Sequence, residues 1–450
     1  MKPRVLLTKE IITRFFDMNK LLTLWSGATS SAVLPLMALV GAYYFFQGLG
    51  GNPGLHFQSL MRFLKETLSL NPVQQAGFMF VITIPWMIKP LYGFLSDSLP
   101  IFGYRRTSYF CIASLLSIGA YILISFFGYS YTSVIILYFI AAVGYACSDV
   151  LCDAIMVQKG QPINATDRLQ SAQWFSISCA GIIVAFAGGY IAEHLSFQEA
   201  VLISIIAPCA VLALTIFCLK EERSTSVKDA ALMARTGVKK ALKLKPIWGC
   251  AIFLFLYNMQ PGFGTALYNY QVDVLKFSQV QIGHIGTVSG ICFMVGTLTF
   301  AALCSKLSEK IFLNAIIFVS FITTIAYLFY SSLVNAFIIS GMTSFVGVIA
   351  FIGILTLAAR VCPKNAEGTV FALLMSMNNF GSRVGDMIGT SLYKALDYDW
   401  LIIVASAFAV CMWFFLPLVR SKPINKYVLF TSICVVTLTA GSFLLFPKFF

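Results

Sequence analysis

Five ionisable residues stand where ionisable residues are costly. Lys89, Asp149, Asp153, Arg383 and Asp386 all fall inside long apolar runs. A charged side chain at mid-bilayer costs about 2.5–3.5 kcal/mol on insertion scales, so it faces a cavity or a partner. Asp149 and Asp153 are spaced i, i+4 and share one helix face. Asp386 follows Arg383 at i+3, close enough to pair along the same helix. At 1.5 Å per helical residue, Lys89 lies about 12 Å deeper than Asp97, and Arg383 about 21 Å beyond Thr369. Two cations near the midplane suit an anionic ligand, which arginine grips with two parallel hydrogen bonds. The carboxylates would accept from donors of that ligand or carry a proton. Tyr43, Tyr44, Phe45, Trp86, Tyr92, Trp174, Tyr257 and Tyr268 offer aromatic faces for stacking. The competing reading is structural: Lys89 and Arg383 neutralise Asp149, Asp153 or Asp386, and the rings only pack.

The elements that position these residues are membrane helices. The 450 residues contain 31 Lys+Arg and 18 Asp+Glu, so charged side chains make up 11% and hydrophobic ones 59%, with a mean hydropathy of +0.85. Soluble domains carry about 25% charged residues. A span needs about 20 apolar residues, and such runs occur at about 21–49, 73–95, 107–128, 133–157, 169–192 and 198–219. They resume at about 246–271, 281–305, 311–331, 333–358, 368–392, 399–419 and 427–447. This composition excludes a soluble enzyme, a secreted disulfide scaffold, a disordered tail protein and a nucleic-acid binder.

The fold class is therefore an all-α membrane protein. A cytoplasmic N-terminus (1–20) precedes a six-helix bundle (21–219), a central cytoplasmic loop (220–245), a second six-helix bundle (246–419) and an extra transmembrane helix (427–447). Six spans, a loop and six spans are the major-facilitator layout. Pro162-Ile163-Asn164-Ala165 and Pro363-Lys364-Asn365-Ala366 recur in equivalent loops, as a duplication would leave them. The net charge of +13 follows from topology. Most Lys and Arg fall on the side of the N-terminus, which the positive-inside rule makes cytoplasmic. The stretch 50–72 is amphipathic, with apolar residues at 57, 60, 61 and 64, and is too short to span.

Catalytic and cofactor chemistry find no footing. The cysteines are scattered without a CxxC, and His56, His194 and His284 lie far apart, so neither a metal site nor a disulfide framework is expected. There is no Walker motif, HExxH or Ser/His/Asp set, so the protein is expected not to be an enzyme and to need no cofactor. Gly188-Gly189 and Gly283-x-x-Gly286 read as helix-packing positions.

The most specific stretch joins the second and third runs: Lys89-Pro90-Leu91-Tyr92-Gly93-Phe94-Leu95-Ser96-Asp97 through Gly103-Tyr104-Arg105-Arg106. It is a variant of the major-facilitator loop motif. Gly93 allows close helix approach, Asp97 can accept from a helix N-terminus or an arginine, and Arg105 and Arg106 sit among anionic headgroups. Together they would latch the inward side shut and release on opening.

With Gln47-Gly48, the run 63–72 and the string Pro85-Trp86-Met87-Ile88-Lys89-Pro90-Leu91-Tyr92-Gly93, this stretch strongly resembles the folate-biopterin transporter family. Ser148 to Asp153, Pro261 to Phe277, and Phe371 to Ser382 are similar too. Gly264 stands where that family often carries an acid, and a thirteenth span is not its usual feature. The resemblance implies a twelve-helix transporter of pteridines and folates, some members moving S-adenosylmethionine. The expected function is proton-coupled secondary transport of a folate- or pterin-like substrate by alternating access. An S-adenosylmethionine transporter is the alternative, and a membrane enzyme or receptor the remote one. Lys89, Arg383, Asp149, Asp153, Trp86, Gln47 and Tyr268 are the substrate-binding candidates. Gly93, Asp97, Gly103, Arg105 and Arg106 form the gate, and Asp386 is the coupling candidate. The expected partners are a small-molecule substrate and membrane lipids, with no nucleic acid. A functional monomer in the cell membrane is expected.

Overall fold

A computed structural model describes residues 33–51, 53–127, 129–163, 165–223, 243–303, 309–361 and 367–418. The N-terminal segment 1–20, most of the loop 220–245 and the extra helix 427–447 lie outside these residues. So do Asn164 and 363–366 of the repeated tetrapeptide.

The chain runs α1 (Val33–Gly50), α2 (Phe57–Arg62, continued by a π-helical turn Phe63–Thr67), α3 (Pro72–Met87), α4 (Lys89–Ser98), α5 (Thr107–Phe127), α6 (Tyr131–Gly160) and α7 (Thr166–His194). The first half ends with α8 (Phe197–Ser204) and α9 (Ile206–Cys218). The second half holds α10 (Lys245–Asn258), α11 (Gly264–Asp273), α12 (Gln279–Leu303), α13 (Glu309–Ile325), α14 (Leu333–Val361), α15 (Glu367–Ala395) and α16 (Tyr398–Cys411). Among the described residues nine helical stretches are long and apolar enough to cross a membrane, and Ile247–Asn258 and Leu313–Phe329 are shorter apolar helices. The architecture is that of a polytopic all-α membrane protein.

The surface is inverted relative to a soluble protein. Leu91, Phe126 and Phe217 are 61%, 64% and 81% exposed, while Gln75, Ser204, Asn269 and Thr390 are fully buried. Exposed apolar area on this scale belongs against lipid, where every backbone group must be satisfied within its own helix.

Glycines set the closest approach between the halves. A Cβ at Gly189 would lie 2.8 Å from Gly283 Cα, and one at Gly283 would lie 2.7 Å from Ala185 O. Backbone meets backbone there, as the small-residue pattern predicts. The amphipathic stretch also folds as its stripe requires. Leu60, Met61 and Leu64 are buried against Phe78, Met79, Ile82 and Tyr121, and Phe57 packs at their margin.

Polar ties between the halves gather on the face opposite Arg105 and Arg106. Lys65 Nζ donates to Asn269 Oδ1 and to Asp273 Oδ2, both at 2.6 Å. Gln58 Nε2 reaches Gln279 O at 2.5 Å, and Gln279 N donates to Glu193 Oε2 at 2.7 Å. Asn269 Nδ2 donates to Gln75 Oε1 at 2.9 Å. On this face the two halves are closed against each other.

Candidate functional site

The second span is broken where its chemistry sits. Asn71 caps α3 with a capping box, accepting from Gln74 N while Gln74 Oε1 accepts from Asn71 N. The helix then stops at Met87, because Pro90 has no N–H for the Trp86 carbonyl and its ring crowds that oxygen. The freed Trp86 O accepts instead from Asn379 Nδ2 of α15, at 3.4 Å. One proline thus creates a kink, places Lys89 at the first turn of α4, and leaves an acceptor that ties the second span to the other half.

Lys89 is engaged rather than free. Its Nζ contacts Asp149 Oδ2 at 2.5 Å and lies 4.6 Å from the Trp86 ring centroid. The other Asp149 oxygen, Oδ1, accepts from Gln47 Nε2 of α1 at 2.7 Å. One turn on, Asp153 Oδ1 accepts from Tyr44 OH at 2.6 Å and from Gln173 Nε2 at 3.4 Å. The i, i+4 carboxylates do share a face, and α1 answers with its own i, i+3 pair, Tyr44 and Gln47. Four elements of the first half (α1, α4, α6 and α7) therefore meet in one polar network that includes Gln47, Lys89, Asp149 and Asp153. Against Gln47 lies a cavity of about 10 Å³, room for one water, lined also by Ser114, Ser117, Tyr145 and Ser148.

Arg383 is different. It sits half-buried on α15, the helix packed on α3, and makes no hydrogen bond or ion pair with any described residue. The i+3 pairing with Asp386 does not form. Asp386 is taken by α11: its Oδ1 accepts from Thr265 N at 3.0 Å and its Oδ2 from Thr265 Oγ1 at 2.7 Å. Those contacts satisfy the N-terminus of a helix that begins only after Pro261-Gly262 interrupts the seventh span. Gly381, Gly385 and Gly389, on one face of α15, let it reach that break. A Cβ at any of them would collide with backbone carbonyls of Phe255, Gln260 or Gly262. Gly264 has a reason as well: a Cβ there would lie 3.3 Å from Asp386 Oδ1, so an acid at 264 would press like charges together. A second cavity, about 280 Å³, lies beside the break and is lined by Phe263, Thr323, Thr324, Tyr327, Thr343 and Ser344.

The remaining candidates fall elsewhere. Tyr268 is buried on the closed face, its hydroxyl beside Gln279, apart from the Lys89 network. Gly93 packs α4 on α6 at Val150. Gly103 has a φ of +83°, which a glycine adopts without strain, in the turn closed by the Ile101–Tyr104 bridge. Arg106 Nη1 donates to Ser96 Oγ at 2.5 Å. The side chain of Asp97 lies outside those described.

Sequence reasoning missed Glu221, whose carboxylate accepts from Arg105 N, Arg106 N, Thr107 N and Thr107 Oγ1 and so caps α5. Its signal was an acid heading an otherwise basic segment. Gln173, Asn379 and Thr265 were missed too, each a neutral polar residue in an apolar helix.

The BT1 family model matches residues 47–426. The folate-biopterin transporter of Synechocystis is 26% identical over 87% of this chain and 80% of its own length. Folate transporter 1 of Plasmodium falciparum is 25% identical over 75% of this chain and 69% of its own length. Among solved structures, the nucleoside transporter NupG superposes with a TM-score of 0.66 at 15% identity, covering 87% of this chain and 100% of NupG. The E. coli fucose:proton symporter FucP superposes at 0.62 with 15% identity, covering 87% of this chain and 100% of FucP. Such similarity between distant sequences establishes the fold, which is the major-facilitator bundle. With the family match spanning the kinked second span, the paired carboxylates of α6 and the glycine face of α15, this chain belongs to the BT1 family.

Proposed function

We propose that the protein is a secondary transporter that moves a folate- or pterin-like anion by alternating access, coupled to protons. The observation that carries this reading is the asymmetry of the two cations within the spans. Lys89 is neutralised by Asp149, whereas Arg383 makes no direct hydrogen bond or ion pair with a described residue, feels Asp386 only at longer range, and lies on the helix packed against the Trp86–Lys89 kink. A half-buried guanidinium whose hydrogen-bonding fork is not taken up by a described residue suits a carboxylate-bearing ligand, and Trp86 supplies a ring for its heterocycle. The two halves, 21–219 and 246–419, are the rocking bodies. The face with Arg105, Arg106 and the N-terminus is cytoplasmic, in a cell membrane, and one chain suffices. The Arg105, Arg106 and Glu221 cluster, with Gly93, Asp97 and Gly103, steadies the inward side.

Uptake of labelled folate into proteoliposomes, with biopterin and S-adenosylmethionine as competitors, tests this directly. Folate is expected to accumulate and biopterin to compete. Competition by S-adenosylmethionine alone would move the substrate class to cations and shift the weight to Asp149 and Asp153. A second experiment uses the closed face. Cysteines replacing Lys65 and Asp273, joined by a short cleavable bifunctional thiol reagent, should stop uptake, and cleavage of the linker should restore it. Uptake that continues with the link intact would contradict opening on that face.

A further inference from the structure

The network of the first half contains more negative than positive charge. Asp149, Asp153 and Lys89 amount to two carboxylates and one ammonium, and the ammonium is committed to Asp149. Asp153 receives only neutral donors among the described residues, Tyr44 OH and Gln173 Nε2, and both fall on the same oxygen, Oδ1. No described residue donates to Oδ2. Asp149 and Asp386 are buried, whereas Asp153 is only half-buried, and its Oδ2 is not enclosed, so it stays open to a water-borne proton. Here one oxygen is left for a donor that the described side chains do not supply.

We infer that Asp153 is the residue that takes up and releases the coupling proton, on Oδ2. This rests on the proton-coupled reading above and moves the coupling role away from Asp386, whose two oxygens are both occupied by Thr265. The step balances simply. A proton leaves water on one side, an O–H bond forms at Oδ2, and the cluster goes from one net negative charge to none. When the other face opens, that bond breaks and the proton returns to water. Tyr44 and Gln173 hold Oδ1 throughout, so the proton-bearing oxygen keeps its orientation.

The groups around Asp153 fit this role. Lys89 comes from α4 and Tyr44 from α1, while Asp149 and Cys152 lie on its own helix and Gln173 from α7 is uncharged. On another face of α6, α5 brings Tyr109 near Cys147 and Tyr121 beside Tyr145. The α15 helix, also in contact with α6, carries Arg383 and the occupied Asp386, and the charges that act on Asp153 are those of Asp149 and Lys89. Among the described residues Lys89 is the one cation committed within the network. Protonating Asp153 therefore leaves the Lys89–Asp149 pair balanced, and deprotonating it offers Lys89 a second acceptor, which is how proton occupancy would reach the kink at Ile88.

Two readouts test the assignment. The first needs no substrate: a pH titration of the purified protein by infrared difference spectroscopy, following the carbonyl stretch of a protonated carboxyl. One component of that band is expected in the wild type and in Asp386→Asn and to be missing from Asp153→Asn; difference spectra of Asp153→Asn identical to the wild type's overturn the assignment. The second uses proteoliposomes. Asp153→Asn is expected to lose folate accumulation driven by an imposed pH gradient, and any exchange it retains should no longer depend on pH. Gradient-driven accumulation at the wild-type level would overturn it as well. Should the variant bind no folate, the infrared band still decides. Should the wild type itself move no folate, the transport reading fails while the infrared result stands on its own.

Discussion

Replacing Arg383 with glutamine is expected to weaken binding of a carboxylate-bearing substrate by roughly 10- to 150-fold, the equivalent of about 1.5–3 kcal/mol for hydrogen bonds to a charged group. Because Arg383 makes no ion pair or hydrogen bond to a described residue, its removal strands no hydrogen-bond partner among them, and the protein should still insert and fold. That separates a binding role from a structural one. Arg383→Lys keeps the charge and loses the planar fork, so it should recover only part of the affinity. Thermal stabilisation of the purified protein by folate, measured across ligand concentrations, checks both variants. Wild-type affinity in Arg383→Gln would remove this residue from the site.

Lys89 should behave in the opposite way. Lys89→Met leaves Asp149 buried without its cation, and breaking a buried pair from one side costs about 3–5 kcal/mol. The Trp86 ring also loses a cation contact, worth roughly 0.5–2 kcal/mol. The expected result is a marked fall in folded protein, seen as a lower melting temperature and a broadened size-exclusion profile in detergent. The double variant Lys89→Met, Asp149→Asn removes both charges and should regain much of the lost stability without regaining uptake. Stability lost equally in the single and double variants would mean that the pair does not matter. Full uptake by Lys89→Met would show that the kink works without it.

Much of this was legible in the sequence because membrane physics compresses the choices. Apolar runs of span length could only be helices, and Gly189 and Gly283 could only be close contacts. A lysine and two aspartates in apolar helices had to find each other or a ligand. The partner assignments were harder. The i+3 spacing of Arg383 and Asp386 satisfied a local rule, but Asp386 was drawn to the N-terminus of α11 by a helix break more than a hundred residues earlier in the chain. Nothing local to α15 announces that contact. Tyr268 looked like a stacking ring because aromatic content says nothing about which face a ring lies on. Tyr44 offers a ring by type but serves as a hydroxyl donor, since only the register of α1 against α6 reveals that it meets Asp153. Pro90 carries a further local signal: a proline in a helix frees the carbonyl four residues back, and a polar residue such as Asn379 is what that oxygen needs.

The account stands on Arg383 being held open for an anionic group while Lys89 is spent on Asp149. The most direct measurement compares two ligands on two proteins: calorimetric titration of wild type and Arg383→Gln with folate and with a pterin that lacks the carboxylate-bearing tail. The wild type should favour folate strongly, and Arg383→Gln should bind the two alike, through loss of folate affinity alone. Preference for folate that persists undiminished in Arg383→Gln would contradict it.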